Sequence, residues 1–246
     1  MSVSLPRPAV FLYGTFDGAG VDLSTAPVTV MDLETSGYSP ASGGRIVEIA
    51  LVTVAGGRIV DEWETLVDAG GDPGASHVHR ISRAHLAGAP TFADIAGEVV
   101  ARLDGTVVAA HNATFEERFL AAELAAAGVR AGQWPALCTL RLAKRALPGP
   151  SYKLAACCAA TGVTLRDAHT ALGDARATAE MLIGLSHAVR SLRFPCRPVA
   201  PRARAAGAVR VHTRADAVAR CGGPPPSAVP RQPRPFPPAA DVAGEG

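Results

Sequence analysis

Apolar and polar positions follow two different periods along this chain, and the change of period divides it. Val28 to Glu34 is a short apolar run that ends in acids, and Arg45 to Val54 (RIVEIALVTV) is β-branched and almost continuously apolar, the pattern of a strand buried within a sheet. The turn Ala55-Gly56-Gly57-Arg58 leads into Ile59–Val67, which predicts a hairpin. Three sequential strands of this kind make an antiparallel meander.

The period then lengthens to that of a helix. Phe92, Ile95, Val99 and Leu103 recur at spacings of three and four, the stripe of an amphipathic helix. Thr106–Ala110 (TVVAA) is short and apolar enough for a buried strand. Thr114–Ala127 reads as a helix with Phe115, Phe119 and Leu120 inward and Gly128 as its stop. Further helices fit Leu140–Leu147, Lys153–Thr161 and, as one long element, Leu172–Val189. Strands followed by alternating helices and a strand predict an α/β domain with a mixed sheet. It is expected over residues 27–193, behind an irregular lead-in at 1–26. Eleven of the twenty prolines lie in residues 194–246, so that tail is expected to be mostly disordered or polyproline-like. The expectation leaves room for a short element near Val209–Ala219.

Composition narrows the class. Hydrophobic residues make up 48%, enough for a core and too many for wholesale disorder. No apolar run approaches the ~20 residues that cross a bilayer, and Met1–Gly14 lacks the features of a secretory signal, so the default compartment is cytoplasmic. The five cysteines are odd in number and form no C-x-x-C pair, which points to neither a disulfide framework nor a zinc site. Adjacent Cys157 and Cys158 read as small apolar residues of a packed helix. The net charge of +2 conceals a basic tail of +5 against a body of −3. That division suits a protein that gathers carboxylates around cations and meets a polyanion elsewhere. Genomic base composition explains the 22 arginines against 2 lysines equally well.

Three segments carry chemistry. In Asp32-Leu33-Glu34 the two carboxylates lie two apart at a strand end and share a face. Like charges so placed repel, and hard oxygen ligands suit Mg²⁺ or Mn²⁺; taken alone, the pair is also an ordinary solvated strand end. Thr35-Ser36-Gly37 follows with small residues and a turn that admit close approach. The segment Ala110-His111-Asn112-Ala113-Thr114-Phe115-Glu116-Glu117 opens a helix after a strand, where ligands gather in α/β sheets. Asn112 there could equally be a helix cap, and Glu116 and Glu117 first-turn acids that complement the helix dipole. In the third segment His169 stands just ahead of a helix and Asp174 within its first turns. A histidine so placed can take a proton from water. The small Gly173, Ala175 and Ala177 leave room for tight packing or for substrate.

The order of these segments resembles the DEDDh exonucleases of the ribonuclease H-like superfamily, with the epsilon subunit of bacterial DNA polymerase III and its DnaQ-like relatives the nearest likeness. His79-Arg80-Ile81-Ser82 followed by Ala89-Pro90-Thr91-Phe92 is similar to the family's H-G-I-[ST] … A-P-x-F stretch, and Tyr152-Lys153-Leu154 to the start of one of its helices. The likeness runs from about Val28 to Leu192. It implies a ribonuclease H-like fold with a mixed five-stranded sheet. It also implies 3′→5′ exonucleolytic hydrolysis with two divalent ions, Mg²⁺ or Mn²⁺, held by Asp32, Glu34, Glu116 and Asp174. His169 would act as the general base, and nucleoside 5′-monophosphates would be released. Thr35, Ser36, His111, Asn112 and Phe115 would meet the substrate. The implied partners are a single-stranded or 3′-end nucleic acid, DNA ahead of RNA, and a DNA polymerase; no membrane is implied. Rival readings are a same-fold exoribonuclease and a catalytically weakened nucleic-acid-binding or polymerase-docking module. The departures are Glu116 where the family has aspartate, Thr35-Ser36-Gly37 for Thr-Thr-Gly, Arg80 for glycine and Cys138 for a frequent aspartate.

Overall fold

The computed structural model describes residues 9–16, 18–201, 209 and 211–221. Its centre is a mixed sheet of six strands: β1 (Phe11–Tyr13), β2 (Val28–Thr35), β3 (Ile46–Ala55), β4 (Arg58–Leu66), β5 (Val107–Ala110) and β6 (Trp134–Cys138), in the spatial order β1-β6-β5-β2-β3-β4. The meander β2-β3-β4 is antiparallel, while β5, β6 and β1 continue the sheet in parallel. Gly56 and Gly57, at φ 58° and 75°, turn the β3–β4 hairpin. Two successive left-handed residues match the right-handed twist of the flanking strands.

Helices cover both faces. On one side α3 (Phe92–Leu103) and α4 (Ala113–Ala126) pack Phe92, Ile95, Val99, Leu103, Phe119 and Leu120 against Met31, Leu33, Ile49 and Leu51. On the other, α5 (Thr139–Ala146), α6 (Leu154–Thr161) and α7 (Ala171–Gly184) cover Val30, Ala50, Val52, Val107 and Ala109. Because side chains alternate along a strand, Val30 on the α7 face carries Asp32 and Glu34 onto that face with it. Short helices α1 (Ser76–His79), α2 (Arg83–Leu86), α8 (Ser186–Val189) and α9 (Arg214–Arg220) fill the edges. Among the described residues no helix is long and apolar enough to cross a membrane.

The α/β fold and the meander agree with expectation, and four points differ. The sheet has six strands instead of five. The extra β1 lies inside the expected irregular lead-in; its three residues are too few to show a period, and pairing with β6 from Phe11↔Trp134 to Tyr13↔Ala136 creates it. Strand β6 itself went unread because Pro135 breaks its pattern, although all five residues are buried. The long last helix is two, interrupted at Leu185 (φ −92°, ψ 13°) after Gly184, the residue with the least helical preference after proline.

In the described tail α9 falls at the short element allowed for near Val209–Ala219. Phe194 is buried and pairs with Val21 through both backbone groups, Leu66 donates to the His212 carbonyl, and α9 sets Ala217 into a cluster with Val47, Leu66, Ile81 and Leu86. Residues 211–221, which carry α9, contain no proline. The expectations for residues 1–8, 202–208 and 222–246 lie outside the described residues.

Candidate active site

The sheet register brings the acids together. Across β2, β3 and β4, Glu34 faces Glu48, and Asp32 faces Ala50, which faces Glu64. The row lies under the first turn of α7. There Thr170 caps the helix through its hydroxyl, accepting from Gly173 N, and Asp174 follows within that turn. Carboxylate oxygens of Asp32, Glu34 and Asp174 all lie within 4.8 Å of one another. His169 stands exposed at the rim in a left-handed conformation (φ 63°), and its backbone N–H donates to Asp174 Oδ2 at 3.2 Å. The turn therefore aims both residues from one short stretch of chain. Gly173 makes this possible by close packing and not by leaving space for substrate: a Cβ there would stand 2.5 Å from the Asp167 carbonyl oxygen and 2.7 Å from that of Arg166.

Burial first, and neighbouring charge for most, raise Asp32, Glu34, Glu64, Glu116 and Asp174. Burial, then the charges of Glu116, Asp174, Glu34 and Glu48, hold the Asp32 carboxyl well above the usual carboxylate range. Burial, then Glu48 and Asp174, push Glu34 up to about 8, against the pull of Arg214. Burial lifts Glu116 to about 8 and, with Glu48, Glu64 to about 7. Asp174 rises mainly through burial, opposed by the His169 N–H, the His169 ring and Arg214. Cations that join such a cluster favour its charged form. Two of its oxygens, Asp174 Oδ1 and Glu116 Oε2, are buried without a hydrogen-bond partner. An orphaned buried carboxylate oxygen costs free energy, and a set of hard oxygen donors fits Mg²⁺ or Mn²⁺. The residues present thus fit divalent ions.

The middle segment separates into distinct uses. Glu116, on the first turn of α4, is buried and close enough for its charge to raise Asp32. Glu117 turns away and accepts from Val10 N, Phe11 N and Tyr13 Oη at 3.1, 2.9 and 2.9 Å, which ties β1 to α4. Phe115 is half-buried, its ring 4.9 Å from that of Phe119. Asn112 is exposed at φ 76° and makes no side-chain cap. His111 is hydrogen-bonded within the protein: Nδ1 pairs with Thr139 Oγ1 at 3.0 Å and Nε2 with the Tyr152 carbonyl at 2.8 Å. Nδ1 thus joins the end of β5 to the start of α5, and Nε2 joins it to the approach of α6. Thr35 donates to the Gly37 carbonyl at 2.8 Å, and Ser36 Oγ accepts from Arg45 N at 2.9 Å.

Three residues at the site were not singled out from the sequence. Glu48 lies mid-strand in an apolar run and Glu64 in a strand of mixed polarity, so only the register reveals them. Arg214 is one arginine of a basic tail, with no local signal of its own.

A general model of the exonuclease family matches residues 29–182. The DNA polymerase III epsilon-like protein of Rhodobacter capsulatus is 34% identical over 180 residues, 70% of this chain and 25% of that protein. The DNA polymerase III epsilon subunit of Treponema pallidum is 32% identical over 158 residues, 62% of this chain and 73% of its own. The chain spans between 12% and 27% of the length of the first curated relatives it matches. Among solved structures, exonuclease X in complex with 5′-overhanging duplex DNA superposes with a TM-score of 0.53 at 29% identity, over 65% of this chain and 91% of that one.

Proposed function

This chain belongs to the RNase T exonuclease family, and we propose that it removes nucleotides from the 3′ ends of nucleic acids, DNA ahead of RNA, releasing nucleoside 5′-monophosphates. The observation that carries the reading is the convergence of Asp32, Glu34 and Asp174 within 4.8 Å, with the unpartnered oxygens of Glu116 and Asp174 buried beside them. These four carboxylates would hold two divalent ions, Mg²⁺ or Mn²⁺. Bound there, the ions supply water activation and stabilisation of the departing 3′ oxygen.

The chain's own groups supply the rest. His169, exposed at the rim, takes the proton from the attacking water and passes it to solvent. Ser36 keeps its hydroxyl proton for a phosphate or a terminal hydroxyl, because Oγ already accepts from Arg45 N. The half-buried ring of Phe115 walls the pocket on the α4 side. Preference for DNA, and a polymerase as partner, are supported by the names of the relatives: an epsilon subunit and an epsilon-like protein of DNA polymerase III, and an exonuclease held on DNA.

The test is digestion of matched 5′-labelled DNA and RNA oligomers with Mg²⁺ or Mn²⁺. Stepwise shortening from the 3′ end, faster on DNA, is expected. Faster loss of RNA would make the enzyme an exoribonuclease. Intact oligomers of both kinds would overturn the reading.

A further inference from the structure

Among the described residues, one arginine reaches the acidic site from beyond residues 29–182, the span matched by the family. Arg214 opens α9 and is largely buried. Its Nε and Nη2 donate to the two oxygens of Glu48 at 2.9 and 2.6 Å, and its Nη1 donates to the His79 carbonyl at 2.6 Å. Glu48, 1% exposed, also accepts from Ala171 N at 2.9 Å. Ala171 is the first residue of α7, two after His169 and three before Asp174. An unbroken chain of contacts thus runs from α9 through β3 to the turn that aims both residues.

The position of Glu48 gives this contact its meaning. It stands directly opposite Glu34 in the β2–β3 register, and its charge acts on Asp32, Glu34 and Asp174 alike. Left to itself, a carboxylate there would turn toward any cation held by those three. The planar guanidinium engages both oxygens at once, a fork that lysine cannot reproduce.

We propose that Arg214 is a positioning residue for the exonuclease reaction: it withholds Glu48 from the cations and, through Glu48, fixes the first turn of α7 that presents Asp174 and His169. The proposal rests on the reading of Asp32, Glu34 and Asp174 as the ion site. It predicts an unusual pairing of effects, because removing Arg214 takes a positive charge away from the site and releases an extra ligand. Cations then bind more tightly while the reaction slows.

The experiment compares the full chain with Arg214→Ala, Arg214→Lys, Glu48→Gln, the Arg214→Ala/Glu48→Gln double variant and Arg220→Ala. Arg220 holds the same segment, donating to the Ala87 carbonyl at 2.8 Å and contacting His212, but makes no contact with Glu48. In Arg214→Ala, kcat should fall about tenfold or more with KM for the oligonucleotide within about threefold. Calorimetric Mn²⁺ affinity without substrate should rise about fivefold or more. Arg214→Lys should recover only a minor part of kcat. In the Glu48→Gln background Arg214→Ala should cost less than about twofold, since both act through one contact. Arg220→Ala should leave kcat and Mn²⁺ affinity near wild type.

Unchanged kcat in both Arg214 variants, weaker Mn²⁺ binding in Arg214→Ala, additivity with Glu48→Gln, or an equal effect of Arg220→Ala would each overturn the proposal. If Arg214→Ala fails to fold, Arg214→Lys and Glu48→Gln carry the same comparison. A wild-type protein that digests nothing would refute the exonuclease reading instead, and the Mn²⁺ titrations of the Arg214 variants would still decide the positioning.

Discussion

Glu116 and Glu117 are consecutive in the chain and serve opposite ends. One is buried with Oε2 unpartnered beside Asp32, and the other accepts three hydrogen bonds that hold β1 in the sheet. Exchange at the two positions should separate function from stability. Glu116→Gln is expected to lower kcat by at least about 100-fold while leaving the melting temperature unchanged or raised, because a strained buried acid is lost. Glu117→Ala should cost about 1–3 kcal/mol through the unpaired Val10 and Phe11 amides, with activity kept in the folded fraction. Denaturant melts and single-turnover assays of both variants decide the matter.

The longer side chain at position 116 is expected to serve adequately. Its carboxylate already sits close enough to raise Asp32, so Glu116→Asp should change kcat by less than about tenfold, under about 1.4 kcal/mol of barrier. A gain of 100-fold would instead mark the present site as degenerate.

The raised acids make stability depend on pH in a defined direction. Glu34 and Glu116 titrate near 8 and Glu64 near 7 in the fold, all above the ordinary 4.5. The folded state then binds more protons than the unfolded one between about pH 4.5 and 8, so stability falls as pH rises through that window. In chelator the melting temperature should decline from pH 5 to 8. Mg²⁺ or Mn²⁺ should restore it most at the alkaline end, where protons no longer compete with the ions for the carboxylates. A flat profile in chelator would contradict the crowding described above.

Much of this was legible in the sequence, and the boundary is physical. Asp32 and Glu34 could be placed on one face because strand periodicity is local, and His169 and Asp174 because a helix start is local. Glu48 and Glu64 could not, since their nearness to Asp32 comes from the pairing of three strands. Strand β1 and Arg214 were hidden for the same reason: each acquires its role from a partner more than 100 residues away. The hydrogen bonds of both His111 ring nitrogens, to Thr139 and to the Tyr152 carbonyl, were hidden too, since neither partner is local in the chain.

At the rim, His169→Ala is expected to reduce kcat by about 10²–10⁴-fold, the usual contribution of a general base. Mn²⁺ binding should be little changed, because the backbone N–H of residue 169, which supports Asp174, is retained. Asp174→Asn should abolish both. Calorimetry beside kinetics separates the two roles.

Position 80 offers a stability test away from the site. Arg80 closes α1 with φ 59°, a conformation that costs an L-residue roughly 1–2 kcal/mol, against roughly 0.5–1 kcal/mol for the extra chain entropy of glycine. Arg80→Gly is therefore expected to stabilise the protein by about 0.5–1 kcal/mol with activity unchanged, as a thermal melt would show.

The contact between Glu48 and Arg214 spans 166 residues, and synthesis proceeds in one direction. At roughly 5–20 residues per second, Glu48 leaves the ribosome on the order of ten to thirty seconds before its counter-charge is made. Throughout that interval the nascent meander carries its acids without the guanidinium, and for most of it the turn bearing His169 has not yet been made. The acidic site is thus completed by one of the last parts of the described chain to be translated, so a polypeptide interrupted before Arg214 would hold every acid of the site and lack the guanidinium that pairs with Glu48.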